Sequence, residues 1–182
     1  MGRLNRHSTV KRAWRCHPPV GYPYIPQGLC KRRDIWYPAG RLPMEFPERL
    51  TIQSHTITVV PRYAETDKGG IIHHSVYPVW FEMGRTELLR ANGIAYRDLE
   101  AQGVFFVVVE LRIKYRRPAF YDEPLVLETT CSNVTAGKVE HTYRLARPGT
   151  GVVLAEGYSV LACVDGQGKI RRIPRFMYSE PQ

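Results

Sequence analysis

Apolar and polar positions repeat along this chain with two different periods, and the change of period marks out its elements. From His55 to Tyr63 the run is rich in Thr, Ile and Val and reads as a strand. Beyond a Gly69-Gly70 turn the spacing changes to three and four. Tyr77, Trp80, Phe81, Gly84, Leu88 and Ala91 form a wide apolar stripe, with Glu82, Arg85, Glu87 and Arg90 occupying the remainder. This predicts a helix of about 15 to 18 residues, capped by Ser75 or a neighbour and stopped at Asn92-Gly93. Pro78 fits only in its first turn. A short second helix, Tyr96 to Gln102, follows.

Period two then takes over. Val107, Val109, Leu111, Ile113 and Tyr115 face one way and Val108, Glu110, Arg112, Lys114 and Arg116 the other, the pattern of a half-buried strand. Leu125 to Val134 comes next, with Leu125, Leu127, Thr129 and Cys131 on one face. Val139 to Arg147 follows the Thr135-Ala136-Gly137 turn, with Val139, His141, Tyr143 and Leu145 alternating against polar residues. Val152 to Val164 completes the set after Pro148-Gly149. One long apolar helix and about five antiparallel strands make an α+β layer arrangement, the helix packed on one face of a curled sheet.

The first 43 residues show neither period and hold six of the fourteen prolines. They also change the reading of the charge. The chain of 182 residues carries +9. Nine basic residues against the single acid Asp34 give residues 1–43 a net +8, leaving +1 for the remainder. We read 1–43 as a basic, Pro-rich extension that is disordered or no part of the native product, Met44 being an alternative start. Residues 44–182 are then the one folded domain. Charge runs are usually solvated, so nucleic acid is not expected as a partner. Cysteines at 16, 30, 131 and 163 form no CxxC, which suits a reducing cytoplasm. Cys131 and Cys163 read as buried free thiols on strands. The longest apolar run, Val104 to Val109, is far below the roughly 20 residues of a membrane helix.

Candidate chemistry concentrates between Arg62 and Gly93. Asp67 precedes two glycines that let backbone approach a ligand closely, and the helix that follows opens with unpaired N–H groups suited to negative charge. His73 and His74 are adjacent but lack a third ligand in register, so no metal is expected. Neither GxGxxG nor GxxxxGK[ST] occurs, and nothing points to a nucleotide cofactor. Glu65 reads as a solvated strand-end residue.

The segment YAETDKGGIIHHSVYPVWFEMGRTELLR closely resembles the signature of the 4-hydroxybenzoyl-CoA thioesterase family of hotdog-fold acyl-CoA thioesterases. The matching positions are Tyr63, Glu65, Asp67, Gly70, Ile71, Ile72, His73, His74 and Tyr77, and the resemblance runs over about residues 52–177. It implies a hotdog fold, and subunits that join sheets into a dimer or tetramer with sites at the interface. It implies hydrolysis of an acyl-CoA to a carboxylic acid and coenzyme A, without a cofactor. Asp67 takes the position of the catalytic acid, as nucleophile or general base, and His74 that of the backbone N–H facing the thioester carbonyl. Gly70 and Tyr77 fall at substrate-lining positions, although Tyr77 suits core packing as well. Lys169 and Arg171 fall where relatives hold the phosphates of coenzyme A, with Arg116 and Arg117 as second choices. The alternative is a non-catalytic hotdog module that binds acyl-CoA or an acyl-carrier protein.

Overall fold

In a computed structural model the described residues are 29–32, 35–38 and 46–178. The chain divides into two compact units, Met1–Met44 and Glu45–Gln182. In the first, strands β1 (Leu29–Arg32) and β2 (Ile35–Pro38) pair antiparallel, Leu29 opposite Pro38 and Arg32 opposite Ile35. The reading of 1–43 as an extension otherwise lies outside the described residues.

The second unit is a hotdog. Strands β3 (Ser54–Val59), β4 (Phe105–Tyr115), β5 (Leu125–Val134), β6 (Lys138–Ala146) and β7 (Val153–Val164) form one antiparallel sheet in the order β3-β5-β6-β7-β4. The long helix α1 (Val76–Ala91) packs against it, chiefly over β3 and β5, and a short α2 (Tyr96–Glu100) follows. Two glycines set how close helix and sheet come. A Cβ on Gly84 would stand 2.2 Å from Thr129 Oγ1, and one on Gly157 would stand 2.2 Å from the Phe81 ring. That ring is fully buried and stacks on Tyr143 with centroids 4.4 Å apart. Trp80, Phe81, Leu125, Leu127 and Leu145 make the core under the first half of α1, and Leu89, Ile94, Leu99, Cys163 and Ile173 a second one beyond it.

The helix starts after Ser75 as the pattern predicts, and ends at Asn92. Asn92 ties that end to the incoming chain: its Oδ1 accepts from Thr51 and Ile52 N–H, and its Nδ2 donates to Leu88 and Ile52 carbonyls. Four expectations need correction. The first strand ends at Val59 rather than Tyr63, because Pro61 offers no N–H to a ladder and a 3-10 turn, Tyr63–Glu65, follows. The apolar stripe of α1 closes on Leu89 instead of Ala91, which is exposed. Arg85, placed outside that stripe, turns inward and keeps only 12% of its side chain exposed. In β4, Val107, Val109 and Leu111 are 44, 61 and 40% exposed, because β4 is an edge strand whose register slips between Val108 and Glu110.

Candidate active site

The stretch from Arg62 to Val76 is a tight loop closed by its own backbone. Thr66 bridges Ile72, the Asp67 N–H donates to the Ile71 carbonyl at 2.8 Å, and the His73 N–H donates to the Glu65 carbonyl at 2.8 Å. Residues 65–67 therefore run antiparallel to 71–73, with Lys68, Gly69 and Gly70 at the tip. Gly70 has φ +77°, the left-handed region that a side chain would strain. At Gly69 a Cβ would come within 3.1 Å of Asp67 Oδ1, the same oxygen that accepts the Gly69 N–H at 2.7 Å. The two glycines thus let the Asp67 carboxylate fold back on its loop, as Asp does in an Asx turn. That uses Oδ1, which also takes a longer bond from Ile71 N–H at 3.4 Å. Among the described residues nothing bonds Oδ2, and Asp67 is half-buried.

The loop is pinned from outside as well. Ile72 N–H donates to the Ala119 carbonyl, and Ile71 bridges Phe120. On the helix side, the His73 carbonyl accepts the Val76 N–H at 3.0 Å. In a trans peptide C=O and N–H point in opposite directions, so the His74 N–H is aimed out of the helix start. Among the described residues it has no acceptor. The Tyr115 hydroxyl donates to the His74 carbonyl at 2.9 Å and fixes the next peptide plane. The rings of His73 and His74 lie exposed with centroids 4.1 Å apart, and His73 Nδ1 is 2.8 Å from Ser75 Oγ. No group of three or more His, Cys, Asp or Glu among the described residues is arranged to hold a metal.

Glu65 is not a solvated strand end. It is 9% exposed, and its carboxylate accepts the Arg62 backbone N–H at 2.7 Å and the Arg62 guanidinium at 2.7 and 3.1 Å. Burial pushes its pKa up, but the Arg62 hydrogen bonds and charge, with a smaller contribution from the nearby Trp80 indole of α1, outweigh burial and hold it below the usual glutamate value. Glu65 therefore ties the Asp67 arm of the loop back to Arg62 by its side chain, beside Trp80 of α1, and to the His73 arm by its carbonyl. The Arg62-x-x-Glu65 spacing was a visible hint, whereas its neighbour Trp80 and the Tyr115 bond to His74 arise only from tertiary packing.

The other sequence-predicted residues lie elsewhere. Tyr77 is 3% exposed and packs on Trp80 and Tyr115. Gly70 sits at the loop tip as expected. Lys169 is exposed on the turn after β7, and its backbone N–H donates to Asp165 Oδ1. The Arg171 guanidinium donates to the Gly103 carbonyl at 2.5 Å, beyond the end of α2. Arg171 is thus tied to the end of the fold that holds α2 and Lys169 to its own turn, and no bond joins either to the Asp67 loop. Arg116 pairs with Glu156 at 2.6 Å, and Arg117 is exposed.

Comparison with known proteins fits this arrangement. The family model of the thioesterase-like superfamily matches residues 61–180. The chain is similar to the putative acyl-CoA thioesterase YneP of Bacillus subtilis, 38% identical over 104 residues, covering 57% of this chain and 75% of that protein. It is similar also to the acyl-CoA thioester hydrolase YbgC of Escherichia coli O6:H1, 30% identical over 119 residues, covering 65% and 88%. Among solved structures, a DHNA-CoA thioesterase of Staphylococcus aureus superposes with TM-score 0.64 at 29% identity, covering 68% of this chain and 83% of that one. A probable thioesterase of Bartonella henselae gives TM-score 0.62 at 29% identity, covering 66% and 99%.

Proposed function

The chain belongs to the thioesterase-like superfamily, and from that membership we propose that it is an acyl-CoA thioesterase, releasing a carboxylic acid and free coenzyme A. The observation that carries this reading is the pairing of an unbonded His74 N–H at the start of α1 with an Asp67 carboxylate that keeps one oxygen free in the same loop. In hydrolysis the thioester oxygen gains negative charge as the carbonyl becomes tetrahedral. The His74 N–H, at the positive end of α1, stabilises that charge. Asp67 supplies the other half, either by taking a proton from the attacking water or by attacking the carbonyl itself to give a mixed anhydride. Collapse of the tetrahedral species expels the coenzyme A thiolate, which takes the proton held by Asp67 on the general-base route; on the anhydride route it takes a proton from water, and a second water then cleaves the anhydride to release the acid and restore the Asp67 carboxylate. Within the superfamily, the signature from Tyr63 to Tyr77 favours the 4-hydroxybenzoyl-CoA thioesterase branch.

The site is completed by self-association. Strand β4 lies at the sheet edge with Val107, Val109 and Leu111 exposed, a surface suited to pairing with the same strand of a second copy. In such a dimer or tetramer, Lys169 and Arg171 of one subunit serve the phosphates of coenzyme A bound at a partner's Asp67 loop. Residues 44–182 suffice for this assembly. No helix among the described residues is long and apolar enough to cross a membrane, and the free thiols of Cys131 and Cys163 suit the cytoplasm. The test is release of free thiol from a panel of acyl-CoAs by the wild type and by Asp67→Asn. Turnover by the wild type and loss of at least a hundredfold in the variant is the expected result. Equal rates would remove Asp67 from the mechanism, and an inactive wild type that still binds acyl-CoA would make the protein a binding module.

A further inference from the structure

A second site lies at the other end of α1, about 16 Å along the helix from His74 if eleven residues are taken at 1.5 Å each. There a cavity of about 40 Å³ opens between the C-terminal half of α1 and strands β5 and β6. Most of its wall is apolar, contributed by Leu88, Val134, Val139, Leu161 and Met177 among others. Asn92, Tyr96 and Cys131 add polar atoms to it, the Tyr96 hydroxyl lying beside the Arg85 guanidinium, and two further polar groups, Arg85 and His141, carry the charge and the unpartnered nitrogen. Arg85 is 12% exposed, and the one carboxylate near it, Glu82, stands 3.6 Å away and is itself 67% exposed. His141 is 6% exposed, and its Nδ1 has no hydrogen-bond partner among the described residues. A buried donor or acceptor left unpaired is costly, and a water or a polar ligand atom in the cavity relieves that cost.

We propose that this cavity binds a small carboxylate with a short apolar tail, the guanidinium of Arg85 holding the carboxylate, the His141 imidazole bonding it and the aliphatic wall enclosing the tail. Charge selects the sign of the ligand. Arg85 is the one formally charged side chain among the lining residues. Burial, reinforced by Arg85, pulls the His141 pKa down to about 4, so the ring is neutral near pH 7. Burial pushes the Cys131 thiol up to about 11, so no thiolate competes. Shape selects the head group. A planar guanidinium matches a carboxylate in two parallel bonds, whereas a dianionic phosphate would bury a second charge against aliphatic walls. Size limits the tail: at 10–15 Å³ per water centre the space corresponds to about three waters, which suits a ligand of roughly butyrate size. The proposal does not rest on the thioesterase reading, and it holds for a catalytically silent protein too.

The test is histidine-selective NMR of the full chain titrated with sodium butyrate, against sodium chloride at equal ionic strength. His141→Gln assigns the His141 signal among the six histidines, and the His73 and His74 signals report separately on any binding of butyrate at the loop. A saturable shift of the His141 signal with butyrate and none with chloride is expected, weakened at least about tenfold in Arg85→Met, as loss of the charge-assisted contact implies. Should Arg85→Met not fold by circular dichroism, Val134→Phe, which fills the cavity and keeps Arg85, must abolish the shift. A His141 signal that ignores butyrate, or that moves equally with chloride or in the folded variants, overturns the proposal.

Discussion

Replacing Glu65 by Gln tests whether the loop is held by the bonds described above. The variant keeps the size of the side chain and one acceptor oxygen. Its amide nitrogen is a donor, however, and must face one of the donors now on the carboxylate: the Arg62 backbone N–H at 2.7 Å, or the guanidinium at 2.7 and 3.1 Å. One buried donor left unpaired costs about 1–3 kcal/mol. For a folded unit of this size that lowers Tm by roughly 3–12 °C. The loss should also depend on pH. The Glu65 pKa is depressed in the folded state, so its contribution is fully present above the unfolded-state glutamate value and is lost as pH falls through the lower folded-state value. Thermal melts followed by circular dichroism at neutral pH and again below pH 4 should therefore show the two proteins diverging at neutral pH and converging in acid. Amide exchange of residues 66–73 should rise in the variant, and kcat should fall more than KM rises, because a 1 Å displacement of a reacting group costs about 10²-fold. Identical melts and unaltered exchange would refute the tie between Glu65, Arg62 and the loop.

Gly157→Ala places a methyl group 2.2 Å from the buried Phe81 ring and should cost about 1–3 kcal/mol in thermal melts, with Gly137→Ala, which meets nothing within 4 Å, as control. Val109→Lys combined with Leu111→Lys puts charge on the exposed face of β4 and should shift the protein toward monomer in analytical ultracentrifugation. Arg171→Ala should raise KM for acyl-CoA severalfold with kcat little altered, and steady-state kinetics over a coenzyme A truncation series should show the effect vanish with the phosphates.

The order of elements was legible in the sequence because both periods are strong: the helix begins after Ser75, and β5 and β6 bury the faces their alternation marks. Where the reading went astray, a distant residue decided the outcome. Alternation in β4 marks an apolar face, but whether that face meets the helix or another chain depends on β4 lying at the sheet edge, which local pattern does not encode. Arg85 was grouped with the charged residues of α1, yet at about 100° per residue it falls between Phe81 and Leu89 on the buried side, and Leu89 replaces Ala91, the last residue of the helix, in the stripe. At the site, Asp67 and the glycine turn were visible in seven residues of sequence. The burial of Glu65 and the fixing of the His74 peptide were not, since Trp80 and Tyr115 reach them from α1 and β4.

The central claim is that Asp67 and the His74 N–H address one carbonyl group. It is tested most directly by a crystal structure with an acyl-CoA ketone analogue in which CH₂ replaces the sulfur. The account predicts the ketone oxygen at about 3 Å from the His74 nitrogen and an Asp67 carboxylate oxygen at about 3–3.5 Å from the carbonyl carbon, or one water away. A bound analogue whose carbonyl lies in solvent, or with Asp67 turned away on its loop amides and no water between, would contradict it.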